Sequence, residues 1–438
     1  MELNERMLFI AFFLSWPIWS YFVYEETVPT FRGCPALDPN SHIKILKNST
    51  FYYKNAQKSE EFIKILFDPK QIRSLLVPYI IPEEMERFKN KPDDIQVFYP
   101  SAIWLEEKNT FFAVVRVSIF NSYSFLYATF FDSEWNEVRK NETIGNITVP
   151  GIIEIEKMWK EHSSGPEDPR IFRALKGELF MTFNLLMKDK KRLMHIFDVS
   201  AGIARPLLIK EYAKKEKVIE KNWTPLIVDD QHIFFIYNYK NLQVIDCSLE
   251  NKICKKVRGT YDHAPSSIKG GSPYVRFADT NYFVSFIFTN VVTEAPEISC
   301  KPYRPALSII EFIPGDKPDF KLIYTSEPID FQNKVFLSPV SKHKSIKEIL
   351  DCNFARVLMV HSISKWDYAD DIVDLTLSIN DSVPLAIRVT GMTDMVRYII
   401  NMYDYGRLEE KEDCAILMSF SYHKQLWPRN LFKMNKYS

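Results

Sequence analysis

Gly165-Pro166-Glu167-Asp168-Pro169-Arg170 places two adjacent acids and an arginine in a stretch bracketed by prolines. Proline fixes its own φ and restricts the residue before it, so this is a short piece of preset backbone. A carboxylate facing a guanidinium in a closed pocket can be held ionised or can pass a proton, according to its burial. Glu167, Asp168 and Arg170 are therefore candidates for acid–base work. The plain alternative is a turn in which Asp168 accepts from nearby amides and Glu167 pairs with Arg170. Arg116 ends the apolar run FFAVVRV and His361 ends ARVLMVHS, positions where a polar side chain facing a channel would sit. Either could equally be satisfied by hydrogen bonds inside a core. Tyr99, Asp262, His263 and Lys269 stand beside comparable turns.

These residues are spread over more than half the chain, so a fold must gather them. From about residue 97 the sequence turns into short aromatic and β-branched runs separated by polar turns, an all-β texture. Five segments share one plan: a proline in a turn, a short apolar strand, a polar turn, then a strongly apolar strand. They begin near Tyr99, Glu167, Asn222, Gly270 and Leu337, the last having its second strand displaced to ARVLMVHS. Their prolines, Pro100, Pro169, Pro225, Pro273 and Pro339, recur at intervals of roughly 50–70 residues, against about 40–50 for one four-stranded sheet. The spacing predicts a five-bladed β-propeller over residues 97–425, with a β-sandwich as the alternative. A propeller brings the equivalent turn of every blade to one end of its channel, which makes one site of distant residues. Residues 25–96 read as a stem and small helical or mixed cap, with helical spacing cut by Pro69, Pro78 and Pro82. Residues 426–438 form a C-terminal tail.

Composition narrows the class. The 438 residues carry 56 Lys+Arg against 56 Asp+Glu, which leaves no basic footprint for nucleic acid. Hydrophobic residues make up 46%, enough for a large core and against disorder. With 12 glycines there is no GxGxxG and no GxxxxGK[ST], so glycine-rich phosphate loops are excluded. The six cysteines form no C-x-x-C, and no D-x-D triplet occurs, so zinc or metal-held nucleotide chemistry has no evident ligands.

Compartment is written at the N-terminus. Residues 7–24 carry no charge and lie between Arg6 and Glu25-Glu26, which predicts a membrane-spanning signal-anchor after a cytoplasmic tail, residues 1–6. A cleaved signal peptide is the rival, but no small-residue cleavage site follows. Sequons at Asn48, Asn141, Asn146, Asn222 and Asn380 make the remainder a candidate for N-glycosylation. Cys247 and Cys254 flank a polar, hairpin-like stretch and could form a local disulfide.

GPEDPRIF resembles the EDPR motif of the β-mannoside phosphorylases and their relatives, which are five-bladed propellers. Taken with FYPSAIW, the Asn222-Trp223-Thr224-Pro225 turn, GGSP at residues 270–273 and the apolar N-terminus, the chain is most similar to fungal β-mannosyltransferases over residues 95–425. That resemblance implies a single-pass type II Golgi membrane enzyme, its catalytic domain lumenal, that caps mannan and phosphomannan with β-1,2-linked mannose. GDP-mannose would be the donor and a mannose-terminated glycan the acceptor. Asp168 would be the catalytic acid/base, with Glu167 and Arg170 on the sugar hydroxyls. Asn222 would give bidentate hydrogen bonds, and the Trp223 indole would stack on a pyranose. Arg116, His361, Lys269 and Tyr99 would complete the substrate contacts, although the pattern has arginine where Lys269 stands. Inversion needs one base, and no metal is expected. A phosphorylase or hydrolase on the same scaffold, and a non-catalytic glycan-binding propeller, are the competing functions.

Overall fold

Residues 111–115 of the strand Thr110–Ile119 are all apolar, although successive residues of a strand point to opposite faces. The computed structural model shows where both faces go. Phe111, Ala113, Val115 and Val117 pack with Phe131, Trp135 and Ala386, while Phe112 and Val114 pack with Ile171, Met181 and Phe183. The same division separates Ile233 and Phe235 from Phe234 and Ile236. Each such sheet is covered on both faces by its neighbours, and burial at roughly 25 cal/mol per Å² of apolar surface holds the stack together.

The structure describes residues 43–45, 62–80, 82–90, 95–120, 123–155, 165–187, 191–209, 219–239, 241–258, 268–290, 303–329, 331, 357–380 and 383–404. All belong to the compact unit Asp38–Ser438. They form a five-bladed β-propeller. The first blade runs Ile95–Leu105, Thr110–Ile119, Tyr123–Phe131 and Glu137–Val138, with Gly151–Ile152 also on the third of these. Pro166–Arg173, Leu179–Leu186, Arg192–Asp198 and Ile203–Pro206 make the second. The third is Thr224–Leu226, His232–Asn238, Gln243–Ser248 and Ile253–Arg258, edged by Leu208–Ile209. In the fourth, Ile268–Gly271 and Val275–Arg276 both pair with Tyr282–Asn290, followed by Tyr303–Ile313 and Asp319–Thr325. Leu358–Asp367, Ile372–Ile379 and Val383–Thr390 form the fifth.

First strands are tied to one another across blades. Ser101 Oγ accepts from the Ile171 amide at 3.0 Å, Ser362 Oγ from the Ala102 amide at 3.0 Å, and the Pro225 carbonyl from the Tyr274 amide at 2.8 Å. Bulges interrupt four of these strands, between Phe98 and Ser101, Glu167 and Arg170, Ile268 and Gly271, and Val360 and Ser362.

Two features differ from the sequence reading. ARVLMVHS was expected as a second strand, but Leu358–Asp367 is the first strand of the fifth sheet and contains no proline. The proline rule therefore fails there, and Pro339 lies outside the described residues. Pro100, Pro169, Pro225 and Pro273 all lie on or immediately beside the first strand of their blades. The stem is also not separate from the propeller. Lys44–Ile45 and Ile63–Ile65 pair antiparallel with Val383–Thr390 and complete the fifth blade. Pro69, Pro78 and Pro82 sit at the starts of the helices Pro69–Leu76, Val77–Tyr79 and Pro82–Asn90, where a missing N–H costs nothing. Ile72, Leu76 and Phe88 pack these helices on the first blade. A further helix, Met392–Asp404, follows the fifth blade.

Cys247 and Cys254 face each other across adjacent strands and are disulfide-bonded, with a Cα–Cα distance of 4.0 Å. Asn141 and Asn146 are exposed around the hairpin Glu142–Ile144/Ile147–Val149, and the Asn146 amide donates to the Ala201 carbonyl at 2.8 Å. Asn380 is half-buried at φ +51°, its Oδ1 accepting from the Val357 amide at 2.9 Å, which extends the pairing of Leu358–Asp367 with Ile372–Ile379 by one residue. Asn48 and the segment 7–24 lie outside the described residues. No helix among the described residues is long and apolar enough to cross a membrane.

Candidate active site

The bulges decide which side chains meet. A bulge inserts one residue and re-aims the side chains around it. Tyr99, Asp168, Lys269 and His361 each lie inside the bulge of their first strand. The turns of the first four blades also share a left-handed residue: Tyr99 at φ +57°, Asp168 at +56°, Asn222 at +63° and Gly270 at +70°. Aspartate and asparagine tolerate this region because their short polar side chains bond locally. Gly270 is required on a second count, since a Cβ there would lie 2.4 Å from the Asn222 carbonyl oxygen. Sequence candidates from all five blades thus occupy comparable places in the ring.

At the second blade the bulge turns both acids toward Arg116. Its Nη2 lies 3.0 Å from Glu167 Oε1 and its Nη1 3.3 Å from Asp168 Oδ1. Arg116 is oriented by donating from Nε to Ser124 Oγ at 3.0 Å and by lying over the Phe98 ring, 4.8 Å from its centroid. The other oxygens are also taken: Glu167 Oε2 pairs with Arg192, and Asp168 Oδ2 accepts from Asn184 Nδ2 at 3.2 Å. Two arginines, Arg116 and Arg192, therefore pair with the two carboxylates, while Arg170 lies behind them on the Asp168 backbone. The Asp168 side chain keeps 15% exposure, so a ligand can still reach it.

Arg170 does not contact open space as a sugar ligand would. It is 4% exposed, and its Nε donates 2.9 Å to the Gly271 carbonyl of the fourth blade, while Nη1 reaches the Asp168 carbonyl at 3.4 Å. Burial lowers its pKa from the ordinary value, and Asp168 opposes that shift. We read it as a strut holding the Asp168 turn against the opposite blade. His361 is likewise buried. Its Nε2 lies 2.7 Å from Ser378 Oγ and its ring 4.6 Å from that of Tyr99. Burial, reinforced by Arg170, holds its pKa well below 6.5, so it is a neutral ring rather than a cation.

Trp223 is a correction. It is 1% exposed, donates to Glu220 at 3.0 Å and packs edge-on against Phe235 and Tyr237. The left-handed turn at Asn222, φ +63°, directs its neighbour Trp223 into the core and away from the channel. Asn222 keeps the half-buried position and Trp223 belongs to the core between the second and third blades. Asp262 and His263 lie outside the described residues.

Asn184 and Arg192 escaped the sequence reading. Asn184 interrupts the apolar run LFMTFNLL and pairs with Glu167 as Arg116 pairs with Phe98. The argument that singled out Arg116 applies to it equally. Arg192 carried no such signal, because it opens a strand after a run of charged residues in the sequence. Among the described residues no three His, Cys, Asp or Glu side chains are grouped to hold a metal ion. A half-open cleft of about 1040 Å³ lies elsewhere, lined by Tyr79, Asn146, Glu154 and Ile203 among others, and takes in none of the bulge residues.

The family model for β-mannosyltransferases matches residues 203–422, half of the chain. The chain belongs to the β-mannosyltransferase family. Beta-mannosyltransferase 1 of Komagataella phaffii is 27% identical over 378 residues, covering 75% of this chain and 55% of the relative. Beta-mannosyltransferase 4 of the same yeast is 28% identical over 356 residues, covering 72% and 68%. This β-mannosyltransferase family member therefore spans about half the length of the first relative. Among solved structures, a beta-1,2-mannobiose phosphorylase from Listeria innocua aligns at 9% identity with a TM-score of 0.44, covering 73% of this chain and 94% of that one. The family match includes Asn222, Lys269 and His361, while the Glu167–Arg170 turn precedes it.

Proposed function

We propose that the chain is an inverting β-mannosyltransferase that moves mannose from GDP-mannose to a mannose-terminated glycan, forming a β-1,2-mannoside. Family membership supports the reaction class. The observation that carries the mechanism is the Asp168 carboxylate, partly exposed within a ring of bulges and braced by Arg116 and Asn184. In one displacement the acceptor oxygen bonds to the anomeric carbon as the bond from that carbon to the diphosphate oxygen breaks. The electron pair of the broken bond leaves with the diphosphate, and the acceptor's proton passes to Asp168. Attack opposite the leaving group turns an α-linked donor into a β-linked product. Arg116 and Lys269 supply positive charge to the donor, and Asn222 and Tyr99 face the sugar. This reading needs no metal ion, so transfer should persist in a chelator.

The guanidinium groups of Arg116 and Arg192 would also suit inorganic phosphate, which keeps a phosphorylase as the second reading. One experiment separates them: full chain with GDP-mannose and mannobiose, against full chain with phosphate and β-mannobiose. Transfer in the first supports the proposal, mannose 1-phosphate in the second replaces it, and binding without turnover makes the propeller a lectin. We place the protein in the Golgi membrane, anchored by residues 7–24 with its propeller lumenal and glycosylated at Asn48, Asn141 and Asn146. Release by alkaline carbonate, or gel mobility unchanged by glycosidase, would refute that placement.

A further inference from the structure

We infer that Arg192 is a positioning residue for Asp168, acting through the side-chain amide of Asn184. This rests on the reading of Asp168 as the base.

Asn184 is 1% exposed and lies between two strands, paired with Glu167 on one side and Met194 on the other. Its amide has one accepting and one donating end, and the neighbours of each are chemically one-sided. Oδ1 faces Arg192 Nη1, which can only donate. Nδ2 faces Asp168 Oδ2 at 3.2 Å and the Glu167 carbonyl at 3.3 Å, which can only accept. Turning the amide over would set donor against donor and acceptor against acceptor, in a place with almost no water. Arg192 therefore fixes the sense of the amide, and the amide delivers a hydrogen to Asp168. The same guanidinium holds Glu167 Oε2, Glu167 Oε1 holds Arg116, and Arg116 holds Asp168 Oδ1. Arg192, Glu167, Arg116, Asp168 and Asn184 thus close a ring. Arg192 reaches both oxygens of Asp168 without touching either, which sets the carboxylate plane presented to an acceptor hydroxyl. A misplacement of this kind acts on rate rather than on binding.

The test uses full chain with GDP-mannose and mannobiose, in wild type and in the Asp168→Asn background. Because Arg192→Ala strips Glu167 of a cation and could fail to fold, the variants are Arg192→Lys and Asn184→Ala. Asn184→Ala is expected to lower kcat at least about 10-fold with KM for donor and acceptor within about 2-fold. Arg192→Lys, which keeps a donor for Asn184 and a cation for Glu167, should lower kcat by less than Asn184→Ala does, again with KM nearly unchanged. In the Asp168→Asn background neither substitution should cost further rate. A raised donor KM, or a loss that persists undiminished in Asp168→Asn, overturns the proposal by making Arg192 a direct substrate ligand. Full activity of Asp168→Asn itself would instead sink the reading of Asp168 and leave the ring without that role.

Discussion

Both oxygens of Asp168 already face donors, so its lone pairs are directed rather than free to turn. Asp168→Asn preserves shape but cannot take a proton. General base catalysis contributes about 10²- to 10⁴-fold, so transfer should fall at least a hundredfold. The protein should still fold but melt somewhat lower, because the new amide nitrogen must face Arg116 or Asn184, which both donate. An unfolded variant would favour the turn reading instead. His361 makes a pH prediction. Its folded pKa lies well below 6.5, so the unfolded chain binds the proton first as pH falls. Stability owed to the neutral ring is complete above about pH 6.5 and is lost progressively below it, down toward the depressed native value. Between pH 7 and pH 5.5 the melting temperature of wild type should drop more steeply than that of His361→Gln, as differential scanning fluorimetry would show. These residues were legible in unequal degree. Glu167, Asp168 and Arg170 stood out because prolines mark a preset turn. Trp223 did not reveal its burial, because residue type alone does not say which side of a strand a ring occupies. Arg192 was invisible because its importance lies in what its guanidinium does to an amide and a carboxylate on other strands.

Strands and turns carry the next level. Continuous apolar runs such as TFFAVVRVSI were readable as β-structure, and their doubled coverage follows from blades packing face to face. The bulges were not readable: an inserted residue leaves no mark in hydrophobic alternation when both faces are apolar. That is why proline, rather than the bulge, served as the marker, and why the fifth blade, whose first strand lacks one, was misaligned. The third blade adds a covalent clasp in the Cys247–Cys254 pair, separated by 7 residues. Closing so short a loop restricts the unfolded chain by about 2–3 kcal/mol on the loop-entropy model. Replacing both cysteines by serine should lower the unfolding free energy by that amount in a urea titration. Little change would mean that the hairpin is held by its strand pairing alone.

For the whole molecule the decisive contact joins the two ends of the described chain. Ile63, Lys64 and Ile65 pair with Ile387, Ala386 and Leu385, and Lys44 and Ile45 with Thr390 and Val389. Leu66, Ile72 and Phe88 then bury themselves against the first blade. Removing residues 1–66 should therefore abolish the single cooperative unfolding transition rather than shorten a spacer. A truncated protein that melts like wild type would show that the fifth blade needs only its three later strands. The pairing also has a consequence in time. Ile65 meets Leu385, so roughly 320 residues must be made before the partner exists, which at 5–20 residues per second is about 16 to 64 s. Throughout translation the strand 63–65 must wait with its edge unmatched, and ring closure can only follow the emergence of Val383–Thr390. The last blade to be synthesised is the one that calls the first residues home.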